Sequence, residues 1–97
     1  MPTYETTRRF ERDYESLTDE QKHAFRVAIK KFVDDLKQGK GFRKSLRVKR
    51  IQGAEGIFEM TWADNGRATF QYAESVKPGD VHIIWRRCGT HSVFKTP

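Results

Sequence analysis

Apolar residues recur at helical spacing through the first part of the chain. Phe10, Tyr14 and Leu17 stand at i, i+4 and i+7, which predicts a short amphipathic helix over about residues 8–17 with Thr6 or Thr7 as its cap. Thr18-Asp19-Glu20-Gln21 has the form of a capping box, in which the threonine hydroxyl accepts a backbone N–H while the glutamine reaches back. Phe25, Ala28, Ile29, Phe32, Val33 and Leu36 then keep the i, i+3, i+4, i+7 rule, so a second, longer helix runs on towards Gly39, a residue suited to a left-handed end. This aromatic stripe reads as core. Thr3–Thr6 suggests one short strand ahead of the helices.

After Gly41 the period changes to two. Residues 46–51, 57–63, 67–73 and 81–88 read as strands, separated by Gly53 and Gly56, by Asp64-Asn65-Gly66 and by Pro78-Gly79-Asp80. Connections this short exclude helical crossovers, so successive strands pair antiparallel. The expected fold is α+β, with two N-terminal helices packed on one face of a small, mainly antiparallel sheet. In the central hairpin Phe58, Met60 and Trp62 share one face with Ala68, Phe70 and Tyr72. A three-residue loop with Gly66 in a left-handed bulge position pairs Phe58 with Tyr72, Met60 with Phe70 and Trp62 with Ala68. A two-residue loop that set Trp62 beside Thr69 would mix the faces. The opposite, helix-free face then carries Glu59, Thr61, Arg67, Thr69 and Gln71.

Composition narrows the class. Ninety-seven residues suit one domain, 1–97, and the 12% aromatic share argues against disorder. The lone cysteine, Cys88, has no partner for an internal disulfide and reads as a buried thiol. No apolar run is long enough to span a bilayer and no apolar signal segment leads the chain, so a soluble, cytoplasmic domain without a membrane partner is expected. The net charge of +6 is localised: within residues 37–50 seven of fourteen residues are basic and none is acidic, while the rest of the chain is nearly balanced. Such a strip, with Arg86 and Arg87 near the C-terminus, attracts polyanions.

Three histidines and one cysteine match no zinc spacing, and no Walker or Rossmann glycine loop occurs, so neither metal nor cofactor is expected. The remaining groups suit phosphodiester chemistry on RNA. Glu59 and His91 are candidates to carry protons. Arg67 presents a planar fork matched to phosphate oxygens. Lys44, Arg47, Lys49, Arg50 and Arg87 are candidate phosphate contacts. His23 and His82 read as structural, and Trp62 and Trp85 as sheet core.

The order of a basic loop, then GIFEMTWADNGRATFQY, then HIIWRRCGTHSVF, preceded by FERDYESL and a capped second helix, resembles the RelE/HigB/YoeB-like toxins of bacterial toxin–antitoxin modules (the RelE/ParE superfamily) over nearly the whole chain. The resemblance implies an endonuclease of mRNA, commonly acting on the ribosome to inhibit translation, and an antitoxin protein that wraps and neutralises it. It implies roles for Arg67 as the phosphate-binding arginine, Glu59 as the carboxylate base of some members, and His91 as the C-terminal acid or base. Lys49 and Arg50 correspond loosely to basic residues of the preceding strand. Where many members have a terminal tyrosine that stacks on the substrate base, this chain has Phe94, which stacks but has no hydroxyl. Two alternatives stay open: a ParE-like poison of DNA gyrase, and a non-enzymatic module whose basic strip binds RNA or an acidic protein.

Overall fold

The computed structural model describes residues 2–97. A strand β1 (Thr3–Thr6) leads into α1 (Arg8–Glu15) and α2 (Asp19–Gln38). A 3-10 turn (Lys44–Leu46) follows, then β2 (Lys49–Arg50), β3 (Phe58–Ala63), β4 (Gly66–Ala73) and β5 (His82–Gly89), and a second 3-10 turn (His91–Lys95) ends the order. The five strands form one sheet in the order β1-β5-β4-β3-β2, antiparallel except for the β1–β5 pair, which is parallel. Both helices pack on one face, as the alternation predicts. No helix among the described residues is long and apolar enough to cross a membrane.

Local chemistry sets the helix ends. Thr7 caps α1 by accepting the Phe10 N–H at 3.1 Å, and its hydroxyl donates to the Arg86 carbonyl at 2.7 Å, tying the helix start to β5. The capping box at α2 is present in full, with Gln21 N–H to Thr18 Oγ1 at 3.1 Å and Thr18 N–H to Gln21 Oε1 at 2.8 Å. Gly39 ends the helix in the left-handed region at φ 66°. Phe25 and Phe32 carry the stripe of α2 onto the sheet. Phe32 meets Phe70 edge-on with centroids 5.1 Å apart, and Phe25 meets Trp62 and Trp85 in the same way. Burying each such ring contributes about 1.5–3 kcal/mol.

Three expectations need correction. Residues 46–51 do not form a full strand. Leu46 is buried as the last residue of a 3-10 turn, Arg47 caps that turn in the left-handed region (φ 46°), and only Lys49–Arg50 pair with β3. A turn that buries every second side chain leaves the same alternation as a strand.

The central hairpin is also two residues out of the expected register, pairing Phe58 with Phe70 and Met60 with Ala68. It closes through Ala63 opposite Gly66, and the odd residue is absorbed by a bulge at Trp62. A two-residue shift preserves the faces, so Met60, Trp62, Ala68 and Phe70 still bury against the helices. Gly66 is not left-handed; its role is space, because a Cβ there would lie 2.6–2.8 Å from the six-membered ring of Trp62. The third correction concerns the helix-free face, which is partly covered. Val93 of the second 3-10 turn is buried, and a Cβ on Gly89 would come within 3.2 Å of its Cγ1. Because Gly89 stands opposite Arg67, the turn lies over the sheet on the Arg67 side.

Gly66→Ala is therefore expected to destabilise the fold by about 1–3 kcal/mol, the usual cost of overpacking. Urea unfolding compared with the exposed-loop control Lys77→Ala checks this.

Candidate active site

Strand register assembles the site. Lys49 of β2 stands opposite Glu59 of β3, Glu59 opposite Thr69 of β4, and Thr69 opposite Arg87 of β5. The next row places Thr61 opposite Arg67 and Arg67 opposite Gly89. Glu59 and Arg67 are thus diagonal neighbours on adjacent strands of the helix-free face, a geometry that separates such positions by about 7–8 Å. His91 opens the turn two residues beyond Gly89, and Phe94 rests edge-on against its ring with centroids 5.3 Å apart.

Arg67 is the centre of this corner. It is only 8% exposed, and its Nη1 donates to three backbone carbonyls of the hairpin: Ala63 at 3.2 Å, Asp64 at 3.2 Å and Gly66 at 2.9 Å. The two Nη1 hydrogens are shared among these three carbonyls, and hydrogen bonds from a charged group are worth about 1.5–3 kcal/mol, so the guanidinium is firmly anchored. Its positive charge nevertheless has no carboxylate partner among the described residues. All three bonds use one nitrogen, and Nε and Nη2 make none within the described residues. A guanidinium fixed by one nitrogen and lacking a counter-ion is a preorganised half-site for an anion.

The Glu59 side chain retains 13% of its exposure, and its ion pair is with the exposed Lys49, at 3.9 Å. Thr69 is fully buried and its hydroxyl has no partner among the described residues. Glu59, Arg67 and Thr69 thus share one face of the paired strands β3 and β4, and His91 follows two residues after Gly89.

Other sequence candidates fall elsewhere. Arg50 pairs with Phe58 and lays its guanidinium over that ring at 5.8 Å, on the helix side, away from Glu59. Arg87 is not a free cation: it forms a fork-to-fork pair with Asp13 at 2.7 and 3.1 Å and also donates to Thr96. That hydrogen bonding to Asp13 raises the guanidinium's already high pKa. Asp13 also accepts the Cys88 N–H at 3.2 Å, so α1 satisfies the edge of β5 where β1 stops. Lys44 is exposed on the first 3-10 turn, and Arg47 lines a cavity described below. His82 is buried between the Thr3 hydroxyl (2.7 Å) and the Glu5 carboxylate (3.0 Å), clamping the parallel β1–β5 pair. Cys88 is buried as expected, and burial pushes its thiol up to about 12.

At the level of sequence, no family model and no curated protein matches the chain. In shape it matches solved toxins closely. The E. coli DinJ-YafQ toxin–antitoxin complex contains a chain 15% identical, with TM-score 0.64 over 95% of this chain and 94% of that one. A YoeB/ParE toxin from Agrobacterium tumefaciens is 16% identical, with TM-score 0.65 over 92% of this chain and 98% of that one. The RelB-RelE antitoxin–toxin complex from Methanococcus jannaschii gives 14% identity and TM-score 0.61 over 95% and 98%. The fold is that of the RelE-like toxins.

The loop that presents the basic strip is stapled by Asp35 of α2, which accepts Arg43 Nε, Nη2 and backbone N–H at 2.9–3.0 Å. Side-chain hydrogen bonding from Arg43, then its backbone N–H, lowers the Asp35 pKa below its ordinary 3.8. The staple therefore contributes fully above that value and is lost as pH falls through the lower folded-state value. An NMR titration of the Asp35 carboxyl carbon is expected to show a midpoint below 3.8 in the wild-type chain and a return towards it in Arg43→Ala. Equal midpoints in the two proteins would refute the staple.

Proposed function

We propose that the chain is the toxin of a toxin–antitoxin module and acts as a metal-independent mRNA endoribonuclease, ribosome-dependent and cytoplasmic, that inhibits translation. The observation that carries this reading is Arg67: a buried guanidinium anchored through one nitrogen, with no carboxylate partner among the described residues and with Glu59 on the neighbouring strand. In the proposed reaction the ribose 2′-oxygen attacks the adjacent phosphorus while one of Glu59 and His91 takes its proton. The bond to the 5′-oxygen breaks and the other group returns a proton to that leaving oxygen. The products carry a 2′,3′-cyclic phosphate and a 5′-hydroxyl. Arg67 holds the non-bridging oxygens through its unused edge, where charge accumulates in the transition state. Lys49 adds field from the neighbouring strand, and Phe94 offers a face on which a base can stack.

A cognate antitoxin is the proposed protein partner. The solved relatives described as toxin–antitoxin complexes support it, as do two surface features. The basic strip suits acidic side chains. An apolar cleft of about 430 Å³ between β1, α1 and α2, edged by Arg26 and Lys30, suits the apolar stripe of an amphipathic segment.

Arg67→Lys keeps a charge able to reach the hairpin carbonyls but removes the fork, and is expected to lower cleavage about 100-fold or more. Glu59→Gln and His91→Gln are each expected to cost about 10²–10⁴ in rate, with unchanged far-UV spectra and melting. Mapping of RNA 5′ ends in arrested cells is the readout. Wild-type cutting by all three variants would overturn the assignment, and loss of supercoiling without new RNA ends would place the chain with the gyrase poisons instead.

A further inference from the structure

A second concavity, of about 460 Å³, opens between α2, the first 3-10 turn and the tip of the β3–β4 hairpin. That volume lies within the roughly 300–1,000 Å³ usual for small-molecule sites. Three elements supply its polar wall: Lys31 from α2, Ser45 and Arg47 from the turn, and Thr61 and Arg67 from the hairpin. Three cationic residues thus stand against one acidic one, Asp64. Among the described residues no carboxylate lies within ion-pair distance of Lys31, Arg47 or Arg67. Arg47 is exposed and is the left-handed cap that ends the first 3-10 turn, which sets its side chain at the rim of this cavity. Trp62 completes the wall with an aromatic surface and an indole N–H that is buried without an acceptor, a condition that calls for a physical reason.

We infer that this cavity is a nucleotide subsite of the substrate strand: it receives the nucleotide next to the scissile phosphate, with Lys31 and Arg47 on its phosphate and Trp62 walling its base. The inference rests on the reading of the chain as an RNA-cleaving enzyme, because Arg67 is common to both places, standing in the sheet row with Thr61 and Gly89 and lining the cavity. A strand gripped at Arg67 passes from the proton-transferring groups on one side to the Lys31–Arg47 pair on the other. Specificity for the neighbouring base then depends on the cavity rather than on Glu59 or His91.

The test measures binding of a short 2′-O-methyl RNA, which has no free 2′-hydroxyl and is not cut, across a range of salt. The proteins compared are the wild type, Lys31→Ala, Arg47→Gly and, as control, Lys77→Ala in the exposed β4–β5 loop. Alanine suits a helical position, and glycine accepts the φ of Arg47 without strain, so both variants should fold. Each is expected to weaken binding several-fold and to reduce the slope of log affinity against log salt by about 0.7, the value for one lost phosphate contact on a single strand. Lys77→Ala is expected to change neither. Unaltered slopes in Lys31→Ala and Arg47→Gly, with cleavage still dependent on Arg67, would overturn the subsite and leave the proposed function standing. A wild-type chain that does not bind this RNA and does not cut mRNA on ribosomes would remove both. Tight binding of free 5′-AMP that Lys31→Ala abolishes would also overturn the inference, by assigning the cavity to a free nucleotide instead of an RNA strand.

Discussion

The structure depends on one constraint: alternate residues of β3 and β4 must bury aromatic and aliphatic side chains against α2. Met60, Ala68 and Phe70 are fully buried, and Phe70 stands against Phe32 of the helix. Once those side chains point to the helices, the pleat sends Glu59, Thr61, Arg67 and Thr69 to the other face. The polar groups are therefore held by the rigidity of the core beneath them. A site built on paired strands keeps its geometry better than one built on loops, and here the rigid aromatic layer is what fixes the diagonal between Glu59 and Arg67.

On that face the energetics favour recruiting an anion. Half-buried Arg87 and exposed Arg43 each find a carboxylate, in Asp13 and Asp35, while half-buried Arg86 donates to Gln71 and to the Pro97 carbonyl. Arg67 finds only backbone carbonyls, whose dipoles satisfy hydrogen bonds without neutralising charge. Burial together with an unbonded Nε and Nη2 separates Arg67 from Arg43, Arg86 and Arg87, whose Nε atoms all have partners. Partnering also explains why net charge alone is a poor guide within residues 37–50: part of the basic strip is spent on stapling the loop, part on covering Phe58, and part lines a cavity.

What the sequence reveals is local. The caps at Thr7 and Thr18 and the stripe from Phe25 to Leu36 announce both helices, because their causes lie within a few residues. The two faces of the hairpin were legible for the same reason, and parity survives a two-residue slip. The slip itself was not legible, since glycine at position 66 was open to two explanations and the one that holds, contact with Trp62, is tertiary. The parallel β1–β5 pair, the pairing of Arg87 with Asp13 and the seating of Val93 on Gly89 join residues far apart in sequence, and no local pattern signals them. Nor does any pattern unite Lys31, Arg47 and Trp62 around one cavity.

The most direct measurement of the central claim is a crystal structure of the chain with a non-cleavable RNA analogue. A phosphate is expected against Nε and Nη2 of Arg67, with Nη1 still held by the Ala63, Asp64 and Gly66 carbonyls and with Glu59 and His91 on either side of the phosphate. A bound strand whose phosphates lie elsewhere, with the unused edge of Arg67 facing only water, would contradict it.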